Sequence, residues 1–211
     1  MKFLNFNRVL CLSPHPDDVE YGMAGTILKY DETRFDILCL TCGGDFDATT
    51  GNPRLEEMKK FWEKSGCRNA FLYFTQHKML KELGTDAWVN YIETVFVNQY
   101  EYDAIFVPPY LDSHFEHGIV SPFAFALTRN KAVSVVEYCS PSVLETWIPT
   151  MYVDISTTCD KKLELMDNFK SQLGKGYFSK ESREYFHFHY PVAKRGLPRV
   201  ERYRVLQHIV R

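Results

Sequence analysis

The chain has 211 residues, 45% hydrophobic and 25% charged, with a formal net charge of -2. That length supports one domain with a full core, and the near-neutral balance argues against a nucleic-acid or membrane-surface protein, both of which carry a basic excess. No apolar run approaches a membrane span, and the first eight residues lack the apolar region of a secretory leader, so a cytoplasmic protein with no integral membrane segment is expected.

The first strand is read over Arg8 to Leu12, from the apolar run Val9-Leu10-Cys11-Leu12. Ser13-Pro14-His15-Pro16-Asp17-Asp18-Val19-Glu20 follows it, and a helix over about Gly22 to Tyr30 leaves. One imidazole and two carboxylates thus sit where a strand hands over to a helix, the end at which α/β sheets bind ligands. Like charges this close repel, and a divalent metal removes that cost. Pro14 and Pro16 stiffen the backbone on both sides of His15. A helical turn after Pro16 would put His15 and Asp18 on one face, able to grip one ion, with Asp17 free to act on a water. The plainer alternative makes Asp17 or Asp18 an N-cap and His15 a hydrogen-bonded loop residue.

A second strand is expected over Phe35 to Thr41, and then a polar loop from Gly43 to Asn52 with Asp45, Asp47, Thr49 and Thr50 bordering the same cleft. Asn52 suits an N-cap and Pro53 the first position of a helix that runs to Ser65 and stops near Gly66. Ala70 to Phe74 is a third strand. Thr85 to Tyr100 reads as a helix with Trp88, Ile92, Val95, Phe96 and Gln99 along one side. Ala104 to Val107 is a short buried strand halted by Pro108-Pro109. The loop Tyr110-Leu111-Asp112-Ser113-His114-Phe115-Glu116-His117 leads into a helix over about Gly118 to Arg129. Ala132 to Tyr138 and an edge-like Met151 to Ile155 are further strands. Cys159 to Leu173 reads as a helix with Leu163, Met166, Phe169 and Leu173 inward. The tail after Gly174 is expected to wrap back over the domain, and Val200 to Val210 could be strand or helix. The organisation expected is therefore a single domain over 1–211, with an α/β core over about 1–173 and a C-terminal wrap over 174–211. Its fold class is α/β: a Rossmann-like, doubly wound, mainly parallel sheet with helices on both faces.

Six cysteines do not signal disulfides in a chain of this size and compartment. Cys39-Leu40-Thr41-Cys42 is formally a C-x-x-C, but it ends a strand and has no second pair, so a buried Cys39 and an incidental Cys42 are expected.

Parallel strands place their C-terminal ends on one edge, so the loop with His114 and His117 can meet His15 and Asp18. One of those two histidines would complete an N₂O set that leaves a position for water, the pattern of a catalytic zinc site. Manganese, iron, cobalt or nickel would also fit such a set. A nearby unligated carboxylate could take a proton from water and deliver it to a leaving amine. The other histidine, protonated, could stabilise an oxyanion. Two surface loop histidines are the plainer reading of an isolated H-x-x-H.

His15-Pro16-Asp17-Asp18-Val19-Glu20 with Gly22-Met23-Ala24-Gly25-Thr26 resembles the first motif of the LmbE-like, or PIG-L, family of metal-dependent N-deacetylases. Asp112-Ser113-His114-Phe115-Glu116-His117 resembles its second, usually written D-x-H-P-D-H. Weaker echoes are Arg54-Leu55-Glu56-Glu57, Ser171-Gln172 and Glu201-Arg202-Tyr203-Arg204. The resemblance implies His15, Asp18 and His117 as ligands of a zinc or other divalent ion. It implies Asp17 as general base and then acid, and His114 as the oxyanion partner. It also implies a small-molecule amino-sugar conjugate, usually an N-acetylglucosamine derivative, as substrate. Phe115 and Glu116 depart from the family's Pro and Asp, and metal binding is expected to survive both. Arg54 is a candidate for holding a sugar hydroxyl or phosphate; a surface salt bridge to Glu57 or Asp31 is its alternative. The aromatic set Trp147, Tyr152, Tyr177, Phe178, Tyr185, Phe186 and Phe188 reads as sugar-stacking wall or as core.

Three functions compete: a sugar N-deacetylase, a metal-dependent hydrolase of another amide (a thiol-conjugate amidase or a deformylating enzyme), and a non-catalytic binding module of the same fold. A nucleotide-binding domain lacks its G-x-G-x-x-G. Oligomeric state, a homo-oligomer included, is left open.

Overall fold

Along the central strands, successive side chains go to opposite sides of one sheet. The structure, a computed structural model, describes residues 1–44 and 52–210. Among these residues the strands are β1 (Arg8–Ser13), β2 (Arg34–Cys39), β3 (Ala70–Phe74), β4 (Ala104–Val107), β5 (Ser134–Tyr138), β6 (Met151–Asp154) and β7 (Val200–Gln207). β1 sends Val9 and Cys11 to one side and Leu10 and Leu12 to the other; β4 splits Ala104 and Phe106 from Ile105 and Val107 in the same way. Both sides are covered, which is why these strands read as unbroken apolar runs. One side packs on α1 (Asp18–Lys29), α2 (Pro53–Ser65) and α6 (Cys159–Met166). The other packs on α3 (Thr85–Ile92), α4 (Phe115–Val120) and α5 (Phe123–Thr128).

The strand order is β3-β2-β1-β4-β5-β7-β6. β1 to β5 are mutually parallel, and β7 runs antiparallel between β5 and β6. The order reverses between β1 and β4, and that switch point opens at their carboxyl ends, just past Ser13 and Val107.

Several elements differ from expectation, each for a physical reason. α1 starts at Asp18, four residues early, because Asp17 is its N-cap. The third helix turns to π geometry over Glu93–Val97, so Val97 goes inward while Val95 and Gln99 face solvent. The expected helix over 118–129 is two helices, α4 and α5, parted at Ser121-Pro122, where proline has no N–H to donate. The helix from Cys159 ends at Met166; a 3-10 turn at Lys170–Gln172 follows, and Leu173 is exposed. The 174–211 stretch does more than wrap. After α7 (Lys180–Phe186) and α8 (Tyr190–Ala193) it enters the sheet as β7. Asp45, Asp47, Thr49 and Thr50, expected to border the cleft, lie outside the described residues.

Gly22 and Gly25 are fixed by packing. A Cβ on Gly22 would lie 2.6 Å from the Cys139 carbonyl oxygen, and one on Gly25 would lie 2.8 Å from Ile155. α1 therefore sits close on the sheet, which holds its N-terminus over the switch point.

Candidate active site

The turn from β1 into α1 is tied before any ligand is considered. Ser13 Oγ donates to the His15 carbonyl at 2.7 Å, and the His15 N–H donates to Asp18 Oδ2 at 2.8 Å. Asp17 has φ 123, a conformation that side chains other than glycine rarely adopt. Such strain persists only where the surroundings fix it. Here the Asp17 N–H donates to Glu20 Oε2 at 3.1 Å, and Arg54 Nη2 holds Asp17 Oδ1 at 2.5 Å. The N-cap alternative and the catalytic reading of Asp17 thus fall on the same residue.

α2 brings Arg54 to this place. Asn52 caps it by accepting from the Leu55 N–H at 3.0 Å, and Pro53 occupies its first turn. Gly43, at φ 71, leaves room for the guanidinium: a Cβ there would lie 2.5 Å from Arg54 Nη1. Arg54 is buried, so the surface salt bridge to Glu57 or Asp31 is not formed. Glu57 instead accepts from the Ser171 N–H and hydroxyl at 2.9 and 2.6 Å.

α4 supplies the second half of the site. His117 Nδ1 lies 2.9 Å from Asp112 Oδ2, and the other Asp112 oxygen accepts from the His114 N–H at 2.7 Å. Ser140 also donates to Asp112. Asp18 bridges the two halves, with Oδ2 3.1 Å from His15 Nδ1 and Oδ1 3.2 Å from His117 Nε2. His15 Nε2, on the far side of its ring, lies 2.5 Å from Glu116 Oε2, and Glu116 Oε1 accepts from the Leu80 N–H at 2.9 Å. His114 stacks on His117, with ring centroids 4.6 Å apart at 23°.

The expected site residues His15, Asp17, Asp18, Arg54, His114 and His117 all line one cavity of about 520 Å³. Tyr21, Gly43, Glu116, Pro141, Lys175 and Tyr177 help complete its wall. Glu116, whose longer carboxylate is expected from the sequence to orient a neighbouring group, has the His15 ring as that neighbour, a partner the sequence does not name. The place of Glu20 was not anticipated: it is fully buried behind Asp17 and also accepts from the Trp62 indole. Glu20 stands inside the first motif, which was the signal available.

Charges here are strongly displaced. Burial alone would lower His117, but the Asp18 and Asp112 carboxylates outweigh it and raise it to about 10. Burial would raise Asp18, but His117 and His15 hold it well below the usual carboxylate range. Burial pushes Asp17 up to about 6 against the pull of Arg54, and pushes Glu20 up to about 8. Burial and the neighbouring His15 and His117 drop His114 to about 4. That environment favours the neutral His114 ring over the protonated one expected from the sequence.

A cation fits this donor set. His117 Nε2 is buried, has no hydrogen-bond partner among the described residues, and faces Asp18. The field that keeps a proton on His117 would equally draw a metal ion. His15, His114 and His117 also offer nitrogens within 4.8 Å of one another. His15 and His117 belong to both possible sets. Asp18, with one oxygen toward each ring, completes the one expected from the sequence.

A family model described as PIG-L, GlcNAc-PI de-N-acetylase, matches residues 10–128. A diacetylchitobiose deacetylase of Thermococcus kodakarensis is 35% identical over 75 residues, which span 31% of this chain and 28% of the relative. The N,N'-diacetylchitobiose deacetylase of Pyrococcus horikoshii superposes with a TM-score of 0.76 at 20% identity, covering 97% of this chain and 85% of that one. GalB of Pseudomonas putida KT2440, a 4-carboxy-2-hydroxymuconate hydratase, superposes with 0.74 at 16% identity, covering 100% and 98%. The structural likenesses carry the fold alone, and a hydratase among them means that the fold does not select the reaction.

Proposed function

The chain belongs to the PIG-L family, and from that premise we propose that it is a metal-dependent N-deacetylase of an N-acetylated amino-sugar conjugate. One observation carries the reading. Asp17 has one oxygen clamped by Arg54, while the other is buried with no partner among the described residues, on the wall of the cavity that holds His15, Asp18 and His117.

His15, Asp18 and His117 are the residues that would hold the ion, for which zinc is proposed. When bound, such an ion supplies Lewis acidity, polarising an amide carbonyl and lowering the pKa of a water. Asp17, near 6, takes a proton from the attacking water and returns it to the nitrogen as the C–N bond breaks, releasing acetate and a free amine. His114 donates its N–H to the developing oxyanion. Asp112 and Glu116 fix the far nitrogens of His117 and His15, which sets their ring orientations. Arg54 serves Asp17 first and, from the cavity wall, the substrate.

The test is metal content by elemental mass spectrometry, for wild type beside His117→Ala, with acetate release from N-acetyl sugars and from non-sugar amides. About one divalent ion per wild-type chain, lost in the variant, together with sugar deacetylation, supports the proposal. No bound metal after zinc addition overturns the metal assignment. Turnover of non-sugar amides alone overturns the sugar.

A further inference from the structure

α2 reaches Asp17 by two routes. Arg54 and Trp62 both lie on its buried face, at a spacing that turns them toward the same neighbour. The first route is direct: Arg54 Nη2 meets Asp17 Oδ1 at 2.5 Å. The second runs through Glu20. The Trp62 indole N–H donates to Glu20 Oε1, and Glu20 Oε2 accepts from the Asp17 N–H at 3.1 Å. Both Glu20 and Trp62 are buried, and Trp62 makes an edge contact with Phe61, ring centroids 5.1 Å apart.

The two routes do different work. Arg54 fixes where one carboxylate oxygen ends, but a long side chain can follow a turn of the peptide behind it. The Asp17 backbone, at φ 123 and ψ -18, needs something that selects it over an unstrained N-cap. Its carbonyl accepts from the Tyr21 N–H at 2.7 Å, a bond that an N-cap residue makes in its ordinary conformation too. That leaves the grip of Glu20 on the Asp17 N–H. The metal-site residues do not pass through Glu20. The His15 N–H donates to Asp18 Oδ2 at 2.8 Å, and Asp18 Oδ1 lies 3.2 Å from His117 Nε2.

We propose that Glu20 is a positioning residue for the general base. Braced by Trp62, it holds the Asp17 peptide in the strained turn that leaves Oδ2 unpaired on the cavity wall, while His15, Asp18 and His117 stay together without it. The proposal rests on the deacetylase reading. It adds a buried pair, outside the reacting groups, on which the rate depends.

The experiment measures kcat and KM for acetate release from N-acetylglucosamine by the zinc-loaded enzyme, for wild type, Glu20→Gln, Trp62→Phe and the double variant, each also in an Asp17→Asn background. Metal content and amide hydrogen exchange by NMR run alongside. In Glu20→Gln the single amide oxygen can serve only one of the two donors that face it. The indole makes the closer contact, so the Asp17 N–H is left facing an NH₂ group. kcat should fall about tenfold, as for a base displaced by a fraction of an ångström, with KM and metal content at wild-type values. In the Asp17→Asn background the same change should cost nothing further, because Glu20 acts through Asp17. Adding Trp62→Phe frees the glutamine oxygen to turn to the Asp17 N–H and should recover part of kcat. Exchange should quicken at the Asp17 amide and not at Gly25 or Thr26. Unchanged kcat in Glu20→Gln, an equal loss in the Asp17→Asn background, or loss of metal overturns the proposal. If Glu20→Gln does not fold, Trp62→Phe alone carries the same comparison, with a smaller loss that must likewise vanish in the Asp17→Asn background. If wild type releases no acetate, that failure belongs to the deacetylase reading, and exchange decides Glu20: quickening confined to Asp17 supports the proposal, and unchanged or uniformly faster exchange overturns it.

Discussion

Two groups of buried charges hold α1, one at its N-terminus and one midway along it. In the middle group Lys162 and Glu201 are both fully buried and paired at 2.6 Å. Lys162 also donates to the Tyr21 carbonyl, at 2.6 Å. Glu201 accepts from the Gly25 and Thr26 N–H groups at 2.8 and 2.7 Å, and lies 3.1 Å from the Tyr203 hydroxyl. None of its polar atoms lacks a partner. The N-terminal group is also largely buried, yet Asp17 Oδ2 has no hydrogen bond among the described residues, His117 Nε2 has only its ion-pair contact with Asp18 at 3.2 Å, and the backbone of Asp17 is strained. The middle group is a closed network whose pairs satisfy one another. The other keeps an unpaired carboxylate oxygen on Asp17 and displaced proton affinities, the pattern of a site that acts on a ligand.

The sharpest way to break that contrast is Asp17→Asn. The amide can still accept from Arg54 but cannot take a proton from water. Turnover should fall by roughly 10² to 10⁴, the contribution of a positioned general base, while metal content and melting temperature stay near wild type. Steady-state acetate release beside elemental analysis checks this, and near-normal turnover would remove Asp17 from the base role.

The same operation on the closed group should act on stability. Lys162→Met leaves the Glu201 carboxylate buried and uncompensated, a loss of about 3–5 kcal/mol. Urea denaturation measures it, and metal occupancy per folded chain should not change. Adding Glu201→Gln should recover part of the loss by removing the stranded charge. A Lys162→Met cost under about 1 kcal/mol would mean that this pair does not hold α1 to β7.

These two groups also differ in how far the sequence announces them. The N-terminal group sits in short runs with recognisable spacing, His15 to Asp18 and Asp112 to His117, each at the end of an apolar strand. The parallel sheet that joins them follows from alternating apolar runs and helical periods. The closed group is spread over Tyr21, Lys162 and Glu201, and no local pattern links them. Glu201 shows in the sequence only as part of a weak motif echo and Lys162 not at all, and β7 read as strand or helix because leucine and β-branched residues are mixed over 200–210 and periodicity does not decide between them. The π turn after Ile92 and the break at Pro122 went unread for a related reason. In both, tertiary packing or a missing N–H overrode a period that looked continuous.

Glu116 offers the smallest of these effects and the finest test of the open group. It stands where the family-like motif has Asp, and its extra methylene lets it span from the His15 ring to the Leu80 N–H. With Nε2 held by Glu116, His15 Nδ1 is the ring atom left facing Asp18. A carboxylate behind a ligating histidine sets its tautomer and raises its basicity. Glu116→Gln keeps the length and removes the charge, so zinc affinity, measured by chelator competition, should fall about 10- to 100-fold. Turnover at saturating zinc should fall less, because Asp17 and His114 are untouched. Glu116→Asp keeps the charge but cannot reach both partners, so it should fall between Gln and wild type. Unchanged affinity in Glu116→Gln would reduce Glu116 to a tether for the Leu80 loop and leave His15 oriented by Asp18 alone.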